Sequence, residues 1–430
     1  MVIRRKVIEE VRPFVGTDVV KVITGIRRCG KSVLMSQIRD VIVSEIDKKA
    51  SVFYLDLDDE ANAGYLKEGV LFKELTSILD KRPHKKTYVF LDEVHDVEGW
   101  EKTVNSIRKR KNADVYITGS NSKMLSGELA TYLTGRYVEF SLTPFSYQEF
   151  LEASGSSNDE ESFRRYLEFG GMPFLSEIGY RANPSMRYLR DVYGAILLKD
   201  VVRRKAIRDV DLLERIVRFV MTETGHVFSA RRIVDFLKNE KCVTAPSTVL
   251  NYLKACEEAF LLRKVEREDL IGKRVLSVDE KYYAVDTGLR NANVAASLKR
   301  DIDQLLETVV FAEMVRRGYS VTIGRVKEKE VDFVCEKDGG RLYVQVAYLM
   351  PTEETREREF SALMSVPDQY DKVVLSMDRF DFSSGGIKHR YLPDFLLGSE
   401  LWPETQQAFW HRPVRSNPRR PLQGVAAALP

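Results

Sequence analysis

The strongest guide to the architecture of this chain is the stretch Gly25-Ile26-Arg27-Arg28-Cys29-Gly30-Lys31-Ser32. It follows the apolar run 19–23, which predicts a short buried strand, and it leads into a helical pattern of apolar residues from Val33 to Ile42. The two glycines permit a tight loop with inward-pointing backbone N–H groups, and the helix start adds the positive end of its dipole. The pattern G-x-x-x-x-G-K-S between strand and helix predicts a loop that cradles phosphates, although a plain glycine turn is the alternative for the loop alone.

Two side chains of this loop are suited to bind a nucleotide triphosphate. Lys31 supplies a point charge for the β- and γ-phosphates, and the Ser32 hydroxyl is a hard oxygen ligand for Mg²⁺. We therefore expect ATP and Mg²⁺ as cofactors. The candidate nucleotide-binding residues in the loop are Gly25, Ile26, Arg27, Arg28, Cys29, Gly30, Lys31, Ser32 and Val33.

A second apolar run, residues 88–91, ends in the acidic pair Asp92 and Glu93. An uninterrupted apolar strand is typical of the centre of a parallel sheet, where both faces are buried. Asp92 is the candidate second Mg²⁺ ligand, and Glu93 is the candidate that orients or polarises the attacking water. An exposed strand end is the alternative for the acids alone, but the phosphate loop and the acids together favour an ATP-hydrolysing site.

Three further residues are candidates at the same site. The strand 115–118 ends before Ser120 and Asn121, so either side chain could sense the γ-phosphate, with a simple turn as the alternative. Arg136 precedes a strand-like run, where a ring-forming ATPase would present an arginine to the nucleotide of its neighbour. A surface arginine is the alternative for Arg136.

These motifs, together with residues 118–122, 133–136 and 142–146, resemble the AAA+ ATPases of the AAA domain 14 family. The resemblance implies a downstream DUF4143 domain, whose hallmarks are similar to residues 170–173 and 283–290. The likeness covers roughly residues 1–400. His95 departs from the family, whose members commonly have Gln at this position.

Composition and charge limit the other functions. The chain has 430 residues, 44% hydrophobic and 30% charged, which is ordinary for folded protein. Residues 181–267 carry 18 Lys and Arg against 11 Asp and Glu, a net +7 that favours a phosphate-rich partner over a merely solvated surface. The four widely spaced cysteines predict reduced thiols, and the lack of a long apolar run predicts a cytoplasmic protein without membrane association.

The middle of the chain predicts a winged helix. The polar stretch 153–162 predicts a linker, and two helices follow, one capped by Ser229 and one opened by Pro246. Two strand-like runs joined around Lys273 and Arg274 would form the wing. We expect DNA as the partner, although winged helices also contact proteins, and the second helix offers few cations beyond Lys254.

The last folded region is similar to PD-(D/E)xK nucleases. Glu307, Asp332 and Gln345 match three of the four functional positions of that family, but Ala347 stands where its lysine should be. An alanine cannot supply charge, so a DNA-binding or structural scaffold is expected rather than an active nuclease. The segment 403–430 lacks periodicity and predicts a disordered tail.

The predicted fold class is α/β, a P-loop AAA+ core with a parallel sheet, followed by a helical lid, a winged helix and a degenerate nuclease-like domain. The predicted units are 1–152 (core), 163–208 (lid), 209–290 (winged helix), 300–400 (nuclease-like domain) and 403–430 (tail). The predicted function is a ring-forming, hexameric ATPase that remodels or translocates DNA. The alternative is a nucleotide-controlled switch that acts through protein contacts.

Overall fold

The computed structural model describes residues 2–122, 133, 135–272 and 274–398. For residues 274–279 it describes the backbone only. The N-terminal part consists of a parallel sheet with helices on its faces. Its strands are β1 (Val20–Thr24), β2 (Ser51–Asp56), β3 (Thr87–Asp92), β4 (Ala113–Gly119) and β5 (Tyr137–Ser141). Its helices are α1 (Arg5–Val11), α2 (Lys31–Val41), α3 (Val70–Asp80) and α4 (Trp100–Arg108).

The parallel sheet has the strand order β2-β3-β4-β1-β5. Every residue of β1, β3 and β4 is buried, because helices cover both faces of these central strands. All the pairings are parallel, so the carboxyl ends of the strands meet at one edge. The phosphate loop after β1 and the acids at the end of β3 therefore lie at the same edge, with the end of β4 between them.

A mainly helical region follows the parallel sheet. Its helices are α5 (Tyr147–Ser154), α6 (Glu160–Phe169), α7 (Ala182–Ala195), α8 (Val210–Thr222), α9 (Ala230–Asn239), α10 (Pro246–Glu258) and α11 (Thr287–Asn293). Helix α7 continues into a wider π-type segment, Ile196–Arg203. The predicted caps of α9 and α10 are confirmed, because the Ser229 side chain accepts from the N–H of Arg232 and Pro246 occupies the first helical turn.

A second sheet organises the C-terminal half. Its strands are β6 (Val227–Phe228), β7 (Leu262–Asp269), β8 (Arg274–Ala284), β9 (Ser320–Val326), β10 (Lys329–Lys337), β11 (Gly340–Val346), β12 (Asp371–Ser376) and β13 (Lys388–Tyr391). The helices here are α12 (Ile302–Arg316), α13 (Glu353–Met364) and α14 (Leu392–Leu396). The strand order is β13-β12-β11-β10-β9-β7-β8-β6, and β7 pairs with β9 in parallel. The β7–β8 hairpin and the strands after residue 300 therefore share one sheet.

One large hydrophobic cluster joins the two halves of the chain. It contains Ile26 and Leu34 beside the phosphate loop, Leu213 in the helical region, and Phe311 and Phe395 near the C-terminus. A separate cluster lies on the other face of the parallel sheet and includes Leu71, Val89 and Trp100. The helical region thus shares a hydrophobic core with α2 and the face of the parallel sheet that α2 covers.

The α/β class and the parallel sheet around the phosphate loop are confirmed. Residues 399–430, which include the predicted tail, lie outside the described residues, as do Lys273 and the side chain of Arg274 in the predicted wing. Within the described ranges, no helix is both long and apolar enough to span a bilayer. The boundaries of the predicted units stay predictions.

Candidate nucleotide-binding site

The phosphate loop adopts a conformation that requires its two glycines. Gly25 has φ 150°, and a Cβ there would lie 2.2 Å from the carbonyl oxygen of Leu142. Gly30 has φ 99° and forms the N-cap of α2 without any side-chain cap. The first N–H groups of α2 therefore lack a capping side chain, and such a helix start is suited to bind anionic phosphate.

Lys31 lies at the centre of the loop and is only 4% exposed. Its Nζ donates to the carbonyl oxygens of Gly25 at 3.2 Å and Ile26 at 3.3 Å. It also lies 3.3 Å from Oε1 of Glu93. The ammonium is thus fixed between the loop backbone and the second acid of β3, while Ser32 in the next position is exposed.

Asp92 is buried and held by two hydroxyl groups. Thr118 at the end of β4 donates to Asp92 Oδ1, and Tyr54 of β2 donates to Oδ2 at 3.1 Å. Burial and the neighbouring Asp92 raise the pKa of the Tyr54 hydroxyl, so it remains a proton donor at neutral pH. Neighbouring strands thereby orient the carboxylate, an arrangement that is typical of a second shell around a metal ligand.

Glu93 has a left-handed backbone conformation, with φ 52° and ψ 44°. Its N–H donates to Oγ1 of Thr118 at 2.9 Å, so the same threonine positions both acids. Non-glycine residues in this region cost of order 1–3 kcal/mol and occur often at functional sites. The turn directs the Glu93 carboxylate toward Lys31 instead of continuing β3.

His95 lies beside Glu93, with Nδ1 3.3 Å from Glu93 Oε2, although the pair lacks the alignment of a hydrogen bond. Its Nε2 contacts Nη2 of Arg204. Burial, followed by the charge of Arg204, lowers the pKa of His95 to about 4. A neutral ring that accepts from Arg204 at Nε2 carries its proton on Nδ1, the atom that faces Glu93.

The π-type segment contributes a buried acid to the loop. Asp200 is 2% exposed, and it accepts two hydrogen bonds from Arg27, from Nε at 2.9 Å and from Nη2 at 3.1 Å. Ser120 donates to Asp200 at 3.4 Å, and Arg204 lies 3.6 Å from the same carboxylate. Asp200 therefore links the phosphate loop, the end of β4 and the helical region. Functional sites often contain π-type turns.

A second contact joins the loop to the C-terminal half. Pro173 follows the glycine pair 170–171 and packs near Gly30. The N–H of Gly171 donates to the buried carboxylate of Asp286 at 2.7 Å, and Asp286 also caps α11 through the N–H of Leu289. The two segments that resemble hallmarks of a downstream domain therefore meet in space.

The N-terminal segment also braces the loop. Arg4 is 5% exposed, and its Nη2 donates to the carbonyl oxygens of Cys29 at 3.0 Å and Thr143 at 3.1 Å. Its Nη1 pairs with Glu149 at 2.7 Å. The guanidinium therefore ties the phosphate loop to the start of α5.

Most of the predicted site residues come together at this edge, but Arg136 does not. It is exposed and lies just before β5, whose first residue, Tyr137, pairs with Val20 at the start of β1. The loop follows the other end of β1, about 16 Å away at ~3.3 Å per residue. Arg136 is therefore remote from the site of its own chain, and a role for it at the site of a neighbour stays a prediction.

The sequence reasoning missed Asp200, Arg204, Tyr54 and Arg4. Thr118 stands in a quoted strand, but its role as a shared partner of both acids was not recognised. Asp200 and Arg204 are one helical turn apart, and a spacing of four residues was the one available signal that they share a helix face. That spacing is common among ordinary surface ion pairs.

Comparisons with known proteins find two matching domains and two relatives. Residues 17–151 match the AAA_14 family, described as an AAA domain. Residues 160–305 match DUF8612, a domain of unknown function, and not the expected DUF4143. An uncharacterized protein of Haemophilus influenzae is 34% identical over 404 residues, covering 92% of this chain and 99% of that protein. An uncharacterized protein of Methanocaldococcus jannaschii is 28% identical over 362 residues, covering 80% and 77%.

Similarity to solved structures is remote. The AMPPCP-bound DnaA of Aquifex aeolicus is 16% identical over 59% of this chain and 86% of its own, with a TM-score of 0.31. The PCH-2 of C. elegans is 17% identical over 59% and 64%, with a TM-score of 0.26. Neither similarity is close enough to transfer a function. The nearly full-length match shows that the chain belongs to one family with the Haemophilus influenzae protein, and residues 17–151 match an AAA domain.

Proposed function

We propose that this protein binds MgATP and hydrolyses it to ADP and phosphate. The observation that carries the proposal is the convergence of Lys31, Asp92 and Glu93 at one sheet edge, where Lys31 Nζ lies 3.3 Å from the Glu93 carboxylate. A helix start without a capping side chain, a buried lysine and two oriented acids are the groups that phosphoryl transfer to water requires.

Each residue has a specific part in this proposal. Backbone N–H groups of the loop and of the first turn of α2, together with the Lys31 ammonium, bind the phosphates, while Ser32 and Asp92 would hold Mg²⁺ and the ion would neutralise phosphate charge. Glu93 orients and polarises the attacking water. Ser120 and Arg204 stand together at the end of β4, 3.5 Å apart, and we assign them to contact the terminal phosphate. Asn121, which is 5% exposed, remains a candidate at the same edge.

Two substitutions test this assignment. Lys31→Ala should abolish nucleotide binding or turnover, because it removes the central cation. Glu93→Gln should keep the binding of MgATP but slow hydrolysis by orders of magnitude. Calorimetry with a non-hydrolysable ATP analogue and a phosphate-release assay separate the two effects. Unchanged turnover of the Glu93→Gln protein would contradict the assigned role of this acid.

A chain of contacts leads from the phosphate loop to the helical region. Asp200 holds Arg27 of the loop, and one turn later Lys205 pairs with Glu258 at the end of α10. Movement of the phosphate loop would therefore shift the π-type segment, and with it α10. Because π-type hydrogen bonding is a rare helical arrangement, we assign this segment as the two-state element of the route.

We further propose that α10 docks on DNA and that subunits assemble into a ring. The exposed face of α10 presents Ser247, Asn251 and Lys254, and Lys241 is exposed just before it. Polar side chains of these types contact bases and phosphates in helix-in-groove recognition. Some cations of the basic segment are already paired with acids, as Arg215 is with Asp211 and Glu240, so the net charge of the segment overstates the positive charge that is open to a partner.

Forked DNA provides the test of this output. DNA should stimulate ATP turnover. The double substitution Lys241→Ala and Lys254→Ala should lower the affinity for DNA. It should also reduce the slope of log affinity against log salt concentration by about 1 for each lost phosphate contact. Lys48→Ala, an exposed lysine of the ATPase part, is the matched control.

A ring predicts a larger mass with an ATP analogue, and Arg136→Ala should then lower hydrolysis without weakening binding.

A switch that acts through protein contacts is the second candidate. The apolar side chains of Val243 and Leu250 are 87% and 50% exposed beside the proposed DNA face, and exposed apolar groups favour a protein partner. Slow turnover, a monomeric mass and no response to DNA would support this alternative.

Both proposed functions include a cytoplasmic location, which is inferred from the lack of a long apolar run in the sequence.

A further inference from the structure

A partly buried acidic cluster lies where β8, β10, β11 and α12 meet, far from the nucleotide site in sequence. Its members are Glu307 on α12, Glu330 and Asp332 on β10, and Gln345 on β11. Asp332 is 7% exposed and Gln345 is 8% exposed. The N–H of Asp332 donates to Oε1 of Gln345 at 3.4 Å, so the two side chains are neighbours. Three of these residues are those predicted to resemble a nuclease site.

With Lys281 in place, this cluster does not offer a divalent metal a set of ligands. Among the residues that the structure describes, no group of three His, Cys, Asp or Glu side chains has the arrangement to hold a metal ion. Asp332 directs Oδ2 to the N–H of Val346 at 2.8 Å, and the Gln345 amide donates to Glu359 at 3.2 Å. Ala347, where a nuclease would have lysine, is buried in an apolar cluster.

The positive charge at this position comes instead from β8. Lys281 is 3% exposed, and its Nζ lies 2.7 Å from Glu330 Oε1 and 3.4 Å from Glu307 Oε2. Tyr283, two residues along the same strand, donates to Glu307 at 2.8 Å. Arg267 of β7 lies 3.4 Å from the second oxygen of Glu330. The β7–β8 hairpin therefore supplies two cations and a hydroxyl to the three acids.

Two cations of the chain offset the charge of these acids. Lys281 and Arg267 face Glu307 and Glu330, and burial, followed by the charge of Glu307, raises the pKa of Asp332 well above its usual range. An acidic cluster with little access to water must be neutralised by protonation, by a cation of the chain or by a metal, and here cations of the chain lie in contact with it.

We propose that the ammonium of Lys281 is the resident cation of this acidic cluster, supplying the charge that a metal ion would otherwise supply. The cluster is then a metal-independent ionic joint that fastens the β7–β8 hairpin to α12 and the C-terminal sheet. Because the β7–β8 hairpin carries the predicted wing, the joint fixes the wing relative to that sheet. The inference does not depend on ATP hydrolysis, since none of its residues belongs to the nucleotide site.

The test measures Mn²⁺ binding by the full chain without nucleotide. Asp92→Asn in every sample removes the candidate metal ligand of the ATP site. With Lys281 in place, we expect no stoichiometric Mn²⁺ binding by electron paramagnetic resonance and no rise of the thermal midpoint with Mn²⁺. Lys281→Ala should lower the midpoint, bind about one Mn²⁺ per chain and regain stability when Mn²⁺ is added, because the acids then lack their cation. Adding Asp332→Asn should remove this binding.

Controls keep the proposal open to refutation. Lys264→Ala, on the same hairpin and paired with Glu280, should neither bind Mn²⁺ nor gain stability from it. Stoichiometric Mn²⁺ binding by the protein that retains Lys281, lost on Asp332→Asn, would overturn the proposal, as would Mn²⁺-dependent DNA cleavage. A folded Lys281→Ala protein that ignores Mn²⁺ would overturn it too. If that variant does not fold, the titration of the protein with Lys281 decides the question.

Discussion

The ion pair between Asp200 and Arg27 makes a quantitative prediction about nucleotide affinity. Asp200→Asn keeps the shape of the side chain but removes its charge and one of its two acceptor oxygens. Arg27 donates two hydrogen bonds at 2.9 and 3.1 Å to a carboxylate that is 2% exposed, while its own side chain is 17% exposed. Hydrogen bonds to charged groups contribute about 1.5–3 kcal/mol, and water can replace part of the loss at Arg27, so we expect a cost of about 2 kcal/mol.

That free energy limits the effect on the phosphate loop. A loop released by 2 kcal/mol can lose at most about 30-fold in affinity, and we expect roughly a tenfold rise in the Kd for MgADP because the other loop contacts remain. Isothermal calorimetry measures the Kd, and the thermal midpoint should fall in the same samples. Asp211→Asn, in an exposed pair with Arg215, is the matched control and should leave both quantities nearly unchanged.

Two results would refute the reasoning. A folded Asp200→Asn protein with a Kd within twofold of the unchanged chain would mean that the pair does not support the phosphate loop. A lower thermal midpoint with an unchanged Kd would mean that Asp200 stabilises the helical packing alone. In both cases the proposed route through Asp200 to α10 would be lost.

Three further predictions concern stability and turnover. Gly288→Ala should lower the free energy of unfolding by about 3 kcal/mol or more in chemical denaturation, because its Cβ would lie 1.9 Å from a backbone carbonyl oxygen. Gly194→Ala, in open space within a helix, is the control and should raise that free energy by ~0.5–1 kcal/mol. Equal effects of the two substitutions would contradict the close approach at Gly288. The pKa of His95 is lowered to about 4, so folding favours its neutral form. The free energy of unfolding should therefore fall by up to ~3 kcal/mol as the pH drops from 6.5 to 4. His95→Gln should flatten this dependence of stability on pH, and an unchanged dependence would argue against a buried neutral ring. Thr118→Val leaves Asp92 Oδ1 without its donor, so kcat should fall about 10- to 100-fold with a smaller change in KM, and a normal kcat in a steady-state assay would exclude this role.

The sequence was sufficient for the part of the site that lies in local motifs. The loop 25–32 and the acids 92–93 each combine a short pattern with a predicted strand, and parallel strands bring their carboxyl ends to one edge. That rule placed Lys31, Asp92 and Glu93 together without knowledge of the intervening chain. It also brought Ser120 to the same edge, whereas the position of β4 between β1 and β3 is known only from the structure.

The missed contacts depend on packing between distant segments. Asp200 lies 173 positions after Arg27, and nothing in a charged helical stretch indicates which acid turns inward. Lys281 lies in the second of the two strand-like runs around the predicted wing, where a lysine normally faces solvent, and the pairing of β7 with β9 brings the β7–β8 hairpin to the acids. The nuclease pattern places its lysine at position 347, where this chain has Ala347. A lysine on another strand, such as Lys281, is not part of that pattern and cannot be found by it.

The hydrophobic cluster that runs from the phosphate loop to the C-terminal helix determines how the chain can be dissected. A truncation in the polar segment 153–162 looks natural in sequence, but it would strip Phe163, Leu213 and Phe311 from the apolar surface around Ile26 and Leu34. The fragment would expose that surface to water, and we expect it to aggregate or to lose its nucleotide site. Proteolysis at that segment should therefore leave two pieces that stay together, and biochemical work on the ATPase requires the whole molecule.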